Sequence, residues 1–246
     1  MRYPQAVSFL DRLRRRTTTT ATSAGDASPP RPEVTDSDLV EAAEQAVLPG
    51  FLSQAEAVER VRGVLELEDT DPRPEQAVEQ VWARRTAEQS TWEGRSDHDR
   101  LTAAFRRLET QGFVTRMSFS CCLSCGTAEI DDERTAGDDA ADYPYRETRY
   151  TFFHEQDAER LAETPATLFL AYSAWRPAPD TDPDVLAAAR AGDDDAWTAV
   201  VAHTDAQVGR QVVEALQAEG LDATWDGRHT SRIAVAVPRW RKPLPA

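Results

Sequence analysis

At Gly112 the hydrophobic period of this 246-residue chain changes. Upstream, apolar residues recur at helical spacing in four segments, each opened by a start signal. Downstream, they alternate along short runs, as strands require. A chain with one such change is expected to fold as α+β, with an N-terminal helical unit followed by a small α/β sandwich on a mixed sheet.

The helical signals are local and chemical. Thr35 with Asp38, Ser53 with Glu56 and Ser96 with Asp99 are capping boxes, in which a hydroxyl accepts from the third helical amide and the carboxylate answers to the cap amide. Pro49-Gly50 stops the first helix. The second carries Val58, Val61 and Leu65 on one stripe. Pro74 suits a first helical position ahead of Ala77, Val78, Val81 and Trp82. The fourth helix shows Leu101, Phe105 and Leu108 on one face, and Gly112 is placed as its left-handed terminator.

Past Gly112, Phe113 to Ser120 alternates as a strand that ends at the cysteines. RYTFFH (149–154) reads as a second strand, followed by a short helix over 156–162. TLFLAY (167–172) is a continuous apolar run, expected to be covered on both faces. Thr204 with Gln207 reads as the cap of a helix carrying Val208, Val212 and Leu216. ATW (223–225), the turn Asp226-Gly227 and RIAVAV (232–237) form an antiparallel pair. Residues 1–34, with a basic amphipathic start and a TTTTATSAGDASPPRP tract, read as a disordered tail. The expected organisation is therefore 1–34 tail, 35–112 helical unit and 113–246 α/β domain. Two acidic stretches, 131–142 and 179–197, read as solvated loops, since neither has the ligand spacing of a calcium loop.

Composition narrows the partners. The net charge is −15, from 43 acidic and 28 basic residues, and Lys242 is the only lysine. Such a surface repels nucleic acid and anionic lipid at long range and favours a protein partner. No run is long and apolar enough for a membrane span, and three clustered cysteines make a poor disulfide framework. A cytoplasmic protein with reduced thiols is expected.

Those cysteines carry the chemistry. In SFSCCLSCGTAEI, Cys122 and Cys125 have the spacing of a zinc knuckle, and Gly126 would permit the left-handed turn that such knuckles favour. With no second C-x-x-C, His154 is the best further ligand, and Cys121 or water would be the fourth. Cys121 itself should point to the opposite face of an extended segment. The same Cys122 and Cys125 could serve as a thiol redox pair, but that chemistry uses a helix N-terminus, and GTAEI does not read as a helix start. Packed thiols without a ligand are the third reading. His154 in HEQD is also placed as an acid–base histidine flanked by carboxylates or as a satisfied core or surface histidine, while Gln156 or Asp157 could be a plain helix cap. No nucleophile elbow, phosphate loop, dinucleotide fingerprint or H-E-x-x-H is present, so no catalytic residue is assigned. The fourth helix and the strand after it are open to a winged-helix-like arrangement, with Arg95, Arg100, Arg106 and Arg107 as phosphate contacts.

DRLTAAFRRLETQG, FSCCLSCG, YTFFHEQDAERLA, TLFLAY, VGRQVVEALQAEGL, TWDGRHTSRIAV and the closing PRWRK together resemble an uncharacterised family of actinobacterial proteins, a domain of unknown function. The resemblance runs from Ser96 to Lys242. It implies that the cysteine stretch, FFHEQD and WDG belong to one module, and it carries no activity, cofactor or substrate. The expected role is a non-catalytic regulatory or protein-interaction module with a structural zinc knuckle. A winged-helix-like DNA-binding regulator and a thiol redox enzyme using Cys122 and Cys125 stand as alternatives.

Overall fold

The computed structural model describes residues 33–137 and 143–246. The tail expected over 1–34 falls outside these residues apart from its last two positions, and so does part of the first acidic stretch.

All three capping boxes form. α1 (Asp36–Val47) starts at Thr35, α2 (Gln54–Val64) at Ser53 and α4 (Asp97–Glu109) at Ser96, each with both reciprocal bonds in place. α3 (Arg73–Gln89) carries its proline at the start. α1, α2 and α3 share one core, in which Ala43, Val47, Val61 and Val78 are fully enclosed. The fourth helix has the same amphipathic pattern but packs elsewhere. Its Leu101, Phe105 and Leu108 lie in the core of the sheet. Gly112 ends it at φ +83°, a left-handed turn that glycine adopts without a Cβ penalty.

The sheet has the order β1-β2-β3-β5-β4. β1 (Phe113–Arg116) pairs parallel with β2 (Arg149–Phe152), and the rest is antiparallel through β3 (Ala166–Ala174), β5 (Ile233–Val237) and β4 (Asp222–Thr224). The fold is thus α+β with a mixed sheet. Two expectations change here. β3 is not covered on both faces: Thr167 is exposed, and Phe169 is half-buried beneath the guanidinium groups of Arg160 and Arg232. Thr204 is not a cap but lies inside a 25-residue helix that begins ten residues earlier, and its hydroxyl accepts from the Ala178 amide at 3.1 Å.

That long helix comes from the second acidic stretch. Asp182 caps α7 (Pro183–Arg190), and Asp193 caps α8 (Asp194–Ala218). Aspartates that look like loop solvation in sequence instead satisfy the orphan amides of helix starts. α4 and α8 cover one face of the sheet. The other face carries a smaller cluster of Val114, Ile130, Phe152 and Ala171, with Phe119, Tyr150 and Trp175 against it.

The closing segment joins the two larger cores. The Trp240 indole N–H donates to the Pro49 carbonyl at 3.0 Å, and its ring meets Phe51 and, edge-on, His98. The ammonium of Lys242 donates to the Gly50 carbonyl at 2.6 Å. From α2, Arg60 reaches Glu155 at 2.5 Å and Glu159 at 3.3 Å, beside the cysteine-bearing segment.

Two predictions follow from this packing. Burial against Trp240, with the Lys242 charge adding to it, pushes His98 down to about 4 from 6.5. Between those values the unfolded chain binds a proton that the native chain does not, so stability falls as pH drops from 6.5 towards 4. Melting curves should show a loss of roughly 2 kcal/mol across that window, and His98→Phe should remove most of it. The second concerns Gly126, where an added Cβ would lie 2.6 Å from the fully buried ring of Phe152. Gly126→Ala should therefore destabilise by about 1–2 kcal/mol in a urea titration, although alanine is the better helix former.

Candidate metal centre

The strand expected through Ser120 stops at Arg116, because Ser118 and Ser120 adopt left-handed φ values of 51° and 60°. That conformation is uncommon for a residue with a side chain, and here backbone bonds hold it. The amide of Phe119 donates to the Phe153 carbonyl at 2.9 Å, and that of Glu155 donates to Ser120 at 3.0 Å. These two bonds turn the chain out of the sheet and aim it into α5 (Leu123–Glu129).

Cys122 is the N-cap of that helix, with extended backbone, and Cys125 sits in its first turn. The expectation that the pair lacks a helix is overturned. Cysteine is absent from the residues that ordinarily cap helices, so the sequence held no capping signal there. Gly126 is likewise not a left-handed turn. It is a buried helical position whose missing side chain lets α5 press on Phe152.

The bend also changes Cys121. It does not point away from its neighbours: the Sγ atoms of Cys121, Cys122 and Cys125 all lie within 4.8 Å of one another. Cys121 is exposed, and the other two are half-buried, all three with free thiols. The Cys125 amide and thiol donate to the Cys122 sulfur and, with smaller contributions from Cys121 and Ser124, hold its pKa below that of an ordinary thiol. Hydrogen bonds with Cys121 and Cys122, and the negative charge that those sulfurs would carry, push Cys125 up to about 12. The cluster thus favours the thiolate form at Cys122 over that at Cys125. A thiolate is the form that ligates metals and attacks disulfides.

His154 is not in this group. It is the N-cap of α6 (Glu155–Ala158), with Nδ1 accepting from the Asp157 amide at 3.3 Å and Nε2 lying 3.0 Å from the Asp157 carboxylate. Asp157 is also gripped by Arg232, which reaches both of its oxygens and the Phe169 carbonyl. Burial raises the Asp157 pKa, but the bonds from His154 and Arg232 outweigh it, and the carboxyl stays below its ordinary value. Both imidazole nitrogens are therefore committed within a triad of two buried side chains and the half-buried Arg232, which ties α6 to β3 and to the residue before β5. HEQD does start a helix, but the cap is His154, and the residues expected to cap it, Gln156 and Asp157, lie inside its first turn.

Of the four arginines weighed as phosphate contacts, two are engaged within the chain. Arg95 bonds Glu219 at 2.9 Å, and Arg100 donates to the Gly220 carbonyl at 2.9 Å, so both close the C-terminal end of α8. Arg106 and Arg107 are exposed on α4. The strand after α4 enters the sheet in parallel pairing with β2. Among the described residues, no helix is long and apolar enough to cross a membrane.

No curated protein and no solved structure shows significant similarity to the chain. A family model does match, and it reaches beyond the Ser96–Lys242 resemblance to take in α1, α2 and α3 with the sheet and the cysteine helix. Matching residues 32–244, it places this chain in the family described as domain of unknown function (DUF6891).

Proposed function

We propose that the chain binds a thiophilic metal ion through Cys121, Cys122 and Cys125, and that it serves as a non-catalytic, metal-responsive regulatory or protein-interaction module in the cytoplasm. The proximity of the three sulfurs carries this reading. Zinc–sulfur bonds of about 2.3 Å require sulfurs about 3.8 Å apart in a tetrahedral site. Sulfurs within 4.8 Å of one another need to close by about 1 Å at most, which thiol side chains achieve by rotation. Amide N–H groups already directed at the Cys122 sulfur would stay in place and go on donating to it once it ligates the ion. With both His154 nitrogens engaged by Asp157, three thiolates fit better than the knuckle completed by histidine. Such a set suits zinc with an exchangeable fourth ligand, or copper(I) in trigonal coordination. The acidic surface, at −15 overall, favours a basic protein partner over nucleic acid.

Elemental analysis and a zinc titration under reducing conditions, on protein never exposed to chelator, test this. The expected result is about one metal per chain, lost in Cys122→Ser and Cys125→Ser, weakened at least about ten-fold in Cys121→Ser, and retained in His154→Asn. Absence of binding, or full affinity in Cys121→Ser, would sink the three-thiolate site.

A second reading rests on the opposed thiol pKa values. The Cys122 thiolate would attack a disulfide of a partner, forming a mixed disulfide and releasing one partner thiolate. Cys125 would then displace the second partner thiol and leave a Cys122–Cys125 disulfide. On this reading, metal-free protein should be carboxymethylated by iodoacetamide first at Cys122, with a pH midpoint below 9.0. Peptide mapping that shows equal labelling of the three cysteines at pH 7 would remove it.

A further inference from the structure

A second candidate site lies away from the cysteines, where the end of α3 meets the closing segment. A cleft of about 380 Å³ opens there, within the size range of small-ligand sites. Arg85, Arg239 and Arg241 line it, with Trp92 as an aromatic wall and Glu88 and Glu163 as its carboxylates.

The charge in this cleft is poorly balanced. Arg85 has only 9% of its side chain exposed, yet its ion-pair partner is the exposed Glu88 at 3.3 Å. Its other bonds go to the Leu48 and Trp240 carbonyls at 3.2 and 3.3 Å, and its guanidinium lies 4.5 Å from the centre of the Trp92 ring. Arg239 donates to the Arg95 carbonyl at 2.9 Å and Arg241 to the Glu93 carbonyl at 3.3 Å. Neither has a carboxylate partner among the described residues. Carbonyls orient a guanidinium without neutralising it, and burial together with the nearby Arg241 charge pushes the pKa of Arg85 down. In a chain of net charge −15, three guanidinium groups in one cleft are a local reversal of sign.

The geometry points to a binding site for a small phosphate-bearing molecule, no larger than a mononucleotide. The phosphate would sit on Arg239 and Arg241, and the organic part would lie in the cleft beside Trp92. Guanidinium groups pair with phosphate through charge-assisted bonds, and a phosphate would relieve the repulsion between Arg85 and Arg241. Nothing in this assignment depends on the cysteines.

Calorimetric titration of the full chain with inorganic phosphate and with AMP, at constant ionic strength in chloride, tests it. At least one probe should bind with Kd of about 1 mM or tighter, and Arg239→Ala/Arg241→Ala should weaken it at least about ten-fold. Arg241→Gln, which keeps the side-chain stem, carries the same expectation should the double variant unfold. Equal affinity for both probes marks a site for the phosphate group alone. AMP binding about ten-fold tighter, and weakened in Trp92→Leu, marks a site for a phosphate ester. The exposed pair Arg106→Ala/Arg107→Ala serves as the charge control and should leave affinity unchanged. No binding of either probe at about 10 mM, full affinity in the cleft variants, or an equal loss in the control pair would overturn the assignment.

Discussion

The buried indole of Trp240 joins parts of the chain that otherwise pack as separate cores. The three N-terminal helices bury their apolar faces against one another, while α4 and α8 bury theirs against the sheet. Trp240 is 7% exposed, reaches Pro49 through its N–H and touches Phe51, which in turn stacks edge-on against Phe153. Burying a tryptophan removes about 150–250 Å² from water, an upper estimate of about 4–6 kcal/mol. The Arg60–Glu155 pair that also bridges the cores is 31% exposed at both ends and contributes on the order of 1 kcal/mol or less. Burial therefore fixes how the helices sit on the sheet, and the ion pair adds direction. Arg85 bonds the Trp240 carbonyl and Lys242 the Gly50 carbonyl, so the segment that joins the cores also shapes the arginine cleft.

The same economy of parts sets the cysteine site. Two serines in left-handed backbone, two backbone amides bonded between the segments that follow β1 and β2, and one glycine pressed on Phe152 deliver Cys122 to the start of a helix. No buried charge is spent on the arrangement. A neighbouring polar network, His154–Asp157–Arg232, holds the segment that accepts the turn, with the Asp157 carboxylate shared between the imidazole and the guanidinium. Support and site are thus separate: the triad positions the segment, and the three thiols stand outside it.

How much of this the sequence reveals depends on the range of the interaction that decides each feature. Capping boxes are settled within four residues, so Thr35, Ser53 and Ser96 could be read directly. Gly112 could be read because a helix that ends before a strand needs a left-handed residue. Cys122 could not, since its capping role follows from Ser118 and Ser120, whose backbone is dictated by partners more than thirty residues away. Thr204 misled for a related reason. Its Thr-x-x-Gln pattern is a valid local cap, but Asp193 starts the helix sooner, and tertiary contact with Ala178 uses the hydroxyl instead. The apolar run of β3 suggested two covered faces, whereas two arginines lie over Phe169 on one of them. Cation–ring contacts of that kind leave no trace in hydrophobic periodicity.

Electrostatics link the two readings of the cysteine cluster. Cys125 is pushed up to about 12 mainly because its neighbours hydrogen-bond to it and would themselves be negative. A divalent cation among the three sulfurs reverses that cause, since each thiolate then faces a positive centre and the protons leave as the metal enters. Metal affinity must therefore rise with pH until the thiols have lost their protons. On the redox reading, the nucleophilicity of Cys122 would belong to the metal-free state alone. On the two proposals together, a single cluster would hold metal in one condition and present Cys122 as a nucleophile in another, with Cys121 the ligand that would distinguish the two. Removing Cys121 takes away one of three metal ligands but leaves the Cys122–Cys125 pair, its helix and its donor amides intact.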